Sequence, residues 1–287
     1  MINDSISPNF LIIGANKGGT TSLFQYLIEH PEIFKTTVKE PMFFNHYNKQ
    51  GADEKFRTVR VIKSLESYKK LFKGSENFKA AGESSTSYLA NPNCAANIYD
   101  FNPEMKLIAI LRNPVERAFS NYLMYVRWGE ETRTFTQALQ DELNGKDLPQ
   151  GKQYIYLGRY LKSLQIYKAL FKDKQLKIFL NEDMRSNLLK TYQDICCFLD
   201  VSADFEPNFK KKYNTNASVE IRPFHKFLKK TNKIIPYTNV IPSFIKNYIF
   251  SKPKMKKKDK MLLQSLYKDE IEKLSIFLDR DLSNWLK

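Results

Sequence analysis

Short apolar runs alternate along the chain with longer stripes of apolar residues at helical spacing. The runs FLIIGA at 10–15, KAAGES at 79–84, KLIAIL at 106–111 and LKIFL at 176–180 end at glycine or polar residues. They predict short buried strands. Leu23, Tyr26 and Leu27 define one face of a helix over 20–30, which Pro31 stops. Asn113 is placed as an N-cap, with Pro114 at N1 and Glu116 in the first turn, so a helix is expected from there to about Arg127. Leu157, Leu161, Leu164, Tyr167 and Leu170 predict a helix over 154–171. Leu188, Leu189, Tyr192, Ile195, Cys196 and Leu199 predict another over 187–199, with Cys196 in the core. A last amphipathic helix is expected over 261–278, with the chain ending near Trp285. Strands alternating with helices imply an α/β fold, a parallel sheet flanked by helices on both faces. Two segments break the rhythm. Residues 48–63 read as polar loop. Residues 234–260 hold three prolines and the run KPKMKKKDK, and read as a basic and apolar surface excursion within a single domain spanning 1–287.

Composition fits this picture. Of 287 residues, 42% are hydrophobic and 14% aromatic, enough to fill a large core and to exclude disorder as the general state. The net charge of +15 points to an anionic partner. Cys94, Cys196 and Cys197 show no CxxC spacing, which argues against a disulfide framework or a zinc site and fits a reducing compartment. The opening MINDSISPNF has no basic stretch followed by an apolar one, and no apolar run approaches the roughly 18 residues that span a bilayer. A cytoplasmic location is expected. Peripheral contact with an inner membrane surface through 244–260 is a further expectation, since apolar residues precede a lysine cluster there.

The chemistry concentrates in GANKGGTTS, residues 14–22, between the first strand and the first helix. Free N–H groups and the dipole of a helix N-terminus make an anion site. Gly18 and Gly19 allow the backbone to come close. Lys17 supplies a full charge, and Thr20, Thr21 and Ser22 supply hydroxyls. The loop departs from the Walker pattern GxxxxGK followed by Ser or Thr, because its lysine precedes the glycine pair. Arg112 ends a strand, where open α/β sheets bind ligands, and its planar fork suits a phosphate. In VKEPMFFN, residues 38–45, Pro41 keeps Glu40 out of helical geometry, and the aromatics beside it favour a raised carboxyl pKa.

These stretches resemble the sulfotransferases that use 3′-phosphoadenosine 5′-phosphosulfate (PAPS). They are most similar to the heparan sulfate sulfotransferases and their bacterial relatives. The resemblance implies that residues 17–22 hold the 5′-phosphosulfate. RNPVERAFS, residues 112–120, resembles the 3′-phosphate motif and implies that Arg112 and Ser120 bind that group, leaving Arg117 to pair with nearby carboxylates. Glu40 matches the catalytic base of the glycan-modifying members. His46, the residue type that cytosolic members use, lies off that register. GESSTSYL, residues 82–89, resembles the acceptor-side stretch and implies substrate contacts for Glu83 and Ser85, with Ser84 where the glycan enzymes carry lysine. Asn216, Ser218 and Arg222 match a late loop of the bacterial relatives and are expected at the cofactor. Tyr125, Arg127, Trp128 and Tyr156 are candidates for shaping the acceptor cleft.

The reaction implied is in-line sulfuryl transfer from PAPS to the hydroxyl of a glycan, glycolipid or small molecule. Glu40 would be the general base and Lys17 would stabilise the leaving phosphate, with 3′-phosphoadenosine 5′-phosphate (PAP) as product and no metal required. Two alternatives stand beside it: a P-loop kinase or NTPase, and a non-catalytic basic protein that binds membranes or polyanions. No nucleic-acid-binding signature is present.

Overall fold

The computed structural model describes residues 7–36, 38–47, 61–211, 213 and 254–287. Asn216, Ser218, Arg222 and residues 234–253 lie outside the described residues. The described chain builds one five-stranded sheet of β1 (Phe10–Gly14), β2 (Ile33–Phe34), β3 (Ala80–Ser84), β4 (Lys106–Leu111) and β5 (Leu176–Leu180). The spatial order is β2–β3–β1–β4–β5, and every pairing is parallel. Phe10 stands opposite both Gly82 and Lys106, so β1 is the central strand and is buried along its whole length. A strand covered on both faces needs apolar residues at successive positions, which is what FLIIG provides.

Alternating side chains of each strand feed two separate cores. Leu11, Ile13, Leu107, Ala109 and Leu111 face one helix layer. That layer holds α3 (Cys94–Phe101), α4 (Pro114–Trp128), α5 (Phe135–Leu143), α6 (Leu161–Leu170) and α9 (Lys257–Leu278). Phe10, Ile12, Ile108 and Ile110 face the other, formed by α1 (Thr20–Leu27) and α8 (Leu188–Phe198), where Cys196 is fully buried. The short helices α2 (Leu65–Lys70) and α7 (Asn181–Ser186) complete the described elements longer than a single turn.

Two boundaries differ from those the sequence predicts. The helix expected over 154–171 begins at Leu161, preceded by an isolated 3-10 turn at Tyr156–Gly158. Gly158 packs so closely on α9 that a Cβ there would lie 2.4 Å from the Tyr267 hydroxyl. The last helix begins at Lys257, four residues before the expected start, because Asp259 is buried and accepts hydrogen bonds from the Thr136 hydroxyl at 2.8 and 2.9 Å. Residues 257–260 therefore belong to α9 rather than to a surface excursion.

Candidate functional site

From β1 the chain winds to β2 and β3 on one side, then returns to β4 and β5 on the other. The crevice between the carboxyl ends of β1 and β4 is thus the point where winding reverses, the usual ligand position in such sheets. The loop after β1 packs hard against β4. The Ala15 amide donates to the Ile110 carbonyl at 2.9 Å, and the Gly18 amide donates to Ala15 at 2.8 Å. A Cβ on Gly18 would lie 2.2 Å from the Ile110 carbonyl oxygen, so only glycine fits. Gly19, at φ 107°, turns the chain into α1. Asn181, at the end of β5, donates to the Gly18 carbonyl at 2.8 Å. With no side-chain cap on α1, the amides of its first turn are left for a ligand.

Around this opening the structure gathers cations. Lys17 is held in left-handed backbone geometry at φ 68°, and its Nζ reaches the Met124 sulfur of α4 at 3.7 Å. Burial pushes its pKa down to about 8, helped by the positive charges of Arg127, Arg112 and Lys39 and opposed by Glu40. Lys39, which the sequence reading did not single out, donates to the Thr21 hydroxyl at 2.8 Å. Its position beside Glu40 was the available signal. Arg112 bonds Glu116 through Nε at 3.2 Å and Nη2 at 2.7 Å. Ser120, Met124 and Arg127 recur at helical spacing on α4, so Ser120 shares the face that reaches Lys17. Ser22 differs from the others, donating to the Tyr213 carbonyl at 3.2 Å.

Glu40 follows Lys39 and lies close enough for its charge to act on Lys17 and Tyr125. Burial raises its carboxyl pKa, with Lys39 and Lys17 opposing. His46 is buried at the end of the 3-10 turn Phe43–Asn45. Glu83 and Ser85 are fully buried beneath the Glu40 segment rather than facing outward. The Ser85 hydroxyl donates to Glu83 Oε2 at 2.8 Å and accepts the Met42 amide at 3.0 Å. Burial pushes the Glu83 carboxyl up to about 7 against the pull of the Tyr88 and Ser85 hydroxyls, and the Glu40 charge adds to the rise. Arg117 is fully buried, and its direct bond goes to the Tyr154 carbonyl rather than to a carboxylate; the charge of Arg117 still reaches Glu142. Tyr125 is half-buried, with its hydroxyl against Gly151, whereas Arg127, Trp128 and Tyr156 are exposed. A cavity of about 660 Å³ is lined by Asn45, Asn91, Gln150, Gln153, Tyr156 and Arg159 among others.

The fold and this cationic crevice define an α/β protein equipped to hold a multiply charged anion at its topological switch point. The family model for the sulfotransferase domain matches residues 7–273, and the chain belongs to that family. It is similar to the membrane-associated sulfotransferase kil1 of Dictyostelium discoideum, with 39% identity over 121 residues, 42% of this chain and 24% of that protein. Human heparan sulfate glucosamine 3-O-sulfotransferase 6 is 31% identical over 115 residues, 40% of this chain and 30% of that protein. The chain thus spans about a quarter to a third of the length of these curated relatives. A solved sulfotransferase from Alicyclobacillus acidocaldarius superposes with a TM-score of 0.76 at 29% identity, covering 98% of this chain and 99% of that one.

Proposed function

We propose that this protein transfers a sulfuryl group from PAPS to an acceptor hydroxyl. The observation that carries the reading is the convergence of Lys17, Lys39, Arg127 and the Glu116-paired Arg112 with Glu40, a carboxylate whose pKa burial raises. The donor fits the residues present. The close approach at Gly18 and the uncapped start of α1 suit a phosphosulfate, with Thr20 and Thr21 beside it. Arg112 and Ser120 suit a second phosphate. Asn216, Ser218 and Arg222 are assigned to the same nucleotide on the resemblance alone.

Lys17 places its positive charge where the leaving phosphate oxygen gains negative charge. The loop amides and Thr21 hold the transferring group in line with the acceptor, so positioning supplies much of the rate. Glu40 accepts the acceptor hydroxyl proton, a role suited to a carboxyl whose pKa burial has lifted toward neutrality. Less negative charge accumulates in sulfuryl than in phosphoryl transfer, and Lys17 with the amides takes the place magnesium has in kinases. The acceptor is assigned to the polyhydroxylic class, glycan or glycolipid. The cavity supports this, because its wall includes Asn45 of the Glu40 segment and it carries the side-chain amides of Gln150 and Gln153, groups that pair with hydroxyls in both directions. A cytoplasmic location, and membrane contact through 244–260, remain part of the proposal.

The test is Glu40→Gln, assayed by sulfuryl transfer from PAPS to a panel of polysaccharide and glycolipid acceptors. Loss of the base lowers kcat by about 10²–10⁴-fold, with PAP affinity unchanged. Full activity in the variant removes Glu40 from the role.

A further inference from the structure

Glu40 sits in a backbone segment that cannot hold itself in place. Glu40 has φ 55° and Met42 has φ 53°, both left-handed, with Pro41 between them. Non-glycine residues in that region cost of order 1–3 kcal/mol each and persist only where the surroundings fix them. Pro41 has no N–H to contribute. The restraint comes partly from the side, where the Pro41 carbonyl accepts the Ile62 amide at 3.0 Å, the Asn97 side chain donates to the Phe44 carbonyl at 2.8 Å and the Phe43 and Phe44 rings are buried, and partly from beneath. The Met42 amide donates to the Ser85 hydroxyl at 3.0 Å, and the Phe44 amide donates to the Tyr88 hydroxyl at 3.4 Å. Each hydroxyl has one proton, and both protons go to Glu83. Ser85 donates to Oε2 at 2.8 Å and Tyr88 to Oε1 at 2.7 Å. Glu83, Ser85 and Tyr88 are all fully buried.

We infer that Glu83 is a positioning residue for Glu40: its two carboxylate oxygens orient the Ser85 and Tyr88 hydroxyls, and these pin the Met42 and Phe44 amides that aim the Glu40 turn. Above its pKa of about 7 the Glu83 carboxylate is acceptor-only, so there it satisfies both hydroxyls at once and leaves their lone pairs turned to the amides. A glutamine at 83 presents an NH₂ on one side, and one of the two hydroxyls loses its acceptor. A residue matched to the acceptor side of the family thereby acts one layer below it. The inference rests on the reading of Glu40 as the base.

The groups facing Glu40 are Lys39 on its own segment, Lys17 from the loop, Tyr125 from α4 and Glu83 from β3. Those facing Glu83 are Tyr68 from α2 at 3.5 Å, Tyr88, Ser85 and Glu40. The experiment follows the Glu40 carboxyl by ¹³C NMR in protein labelled at glutamate, its signal assigned with Glu40→Gln, across pH 4–9 in wild type, Ser85→Ala, Tyr88→Phe and Glu83→Gln. Ser85→Ala and Tyr88→Phe each remove one relay and little volume, so they test the idea where Glu83→Gln fails to fold. Cutting a relay frees the turn to expose Glu40, and its titration midpoint falls toward the ordinary carboxylate value in Ser85→Ala and Tyr88→Phe, which both keep the Glu83 carboxyl group. PAP affinity, which depends on the loop at 17–22, stays within about twofold, while kcat falls by roughly 10–100-fold as the base is misplaced. A Glu40 midpoint that stays at the wild-type value in the folded variants overturns the positioning role and leaves the base reading standing. Wild-type transfer by Glu40→Gln removes the base reading and leaves the NMR result on the turn intact.

Discussion

Lys17 carries its charge where burial and three other cations act against it, and its pKa falls to about 8. A phosphosulfate or PAP reverses that balance by bringing opposite charge. Only the protonated lysine offers a full charge, so PAP affinity is complete below about pH 7 and weakens as pH rises through 8. The slope cannot exceed one proton. Calorimetry from pH 6.5 to 9.5 checks this, and Lys17→Arg, which stays charged, flattens the profile. Placement that follows from a motif was legible in the sequence: Lys17 and Arg112 lie close enough for the arginine charge to act on the lysine. Roles that depend on what lies above a residue were not. GESSTSYL resembles an acceptor-side stretch, with substrate contacts expected for Glu83 and Ser85, yet both are fully buried, and the Ser85 hydroxyl accepts the Met42 amide of the Glu40 segment instead. Arg117 reads as an ion-pair partner, yet it points inward to a backbone carbonyl.

Strand, loop and helix cooperate at Gly18. The loop amide bonds and the Asn181 side chain draw its backbone against Ile110. Gly18→Ala forces a Cβ to within 2.2 Å of that carbonyl. The expected cost is about 1–3 kcal/mol of stability by chemical denaturation, as for other overpacked sites, together with loss of PAP binding as the loop shifts. Wild-type affinity in Gly18→Ala contradicts the cradle. The long elements announce themselves by period and cap, and the Asn113 side chain accepts the Val115 amide at 3.0 Å as expected of an N-cap. The missed elements carry weaker signals. β2 has two residues, too few for any period. α5 has a capping box of Thr134 and Gln137 that the apolar pattern alone does not reveal. The helix over 154–171 fails in its first half because contact with α9, distant in sequence, decides the backbone at Gly158.

Across the molecule, the net charge of +15 and the cationic crevice make the free protein a poor shield for its own charge. A ligand that binds only the folded state stabilises it by mass action. PAP at about 100 times its Kd adds ~2.7 kcal/mol, roughly 4–5 °C in Tm for a chain of this size. Thermal scans with and without PAP measure this, and an unchanged Tm at saturating PAP contradicts binding to the native state. No described helix is long and apolar enough to cross a membrane. The parallel sheet with helices on both faces was legible because alternation of strand and helix leaves few other architectures. Strand order was not, since β3 and β4 flank β1 through contacts that the local pattern does not encode.

The central claim is that Lys17 and Arg112 hold a PAPS-type nucleotide without magnesium. Calorimetric titration of PAP into wild type, Lys17→Ala and Arg112→Ala in the presence of a chelator tests it most directly. Micromolar binding by wild type, weakened about 10–100-fold in each variant as charge-assisted bonds are lost, is the predicted result. Absence of binding by folded wild type, or binding of ATP only when magnesium is added, contradicts the account and points to a kinase-like site.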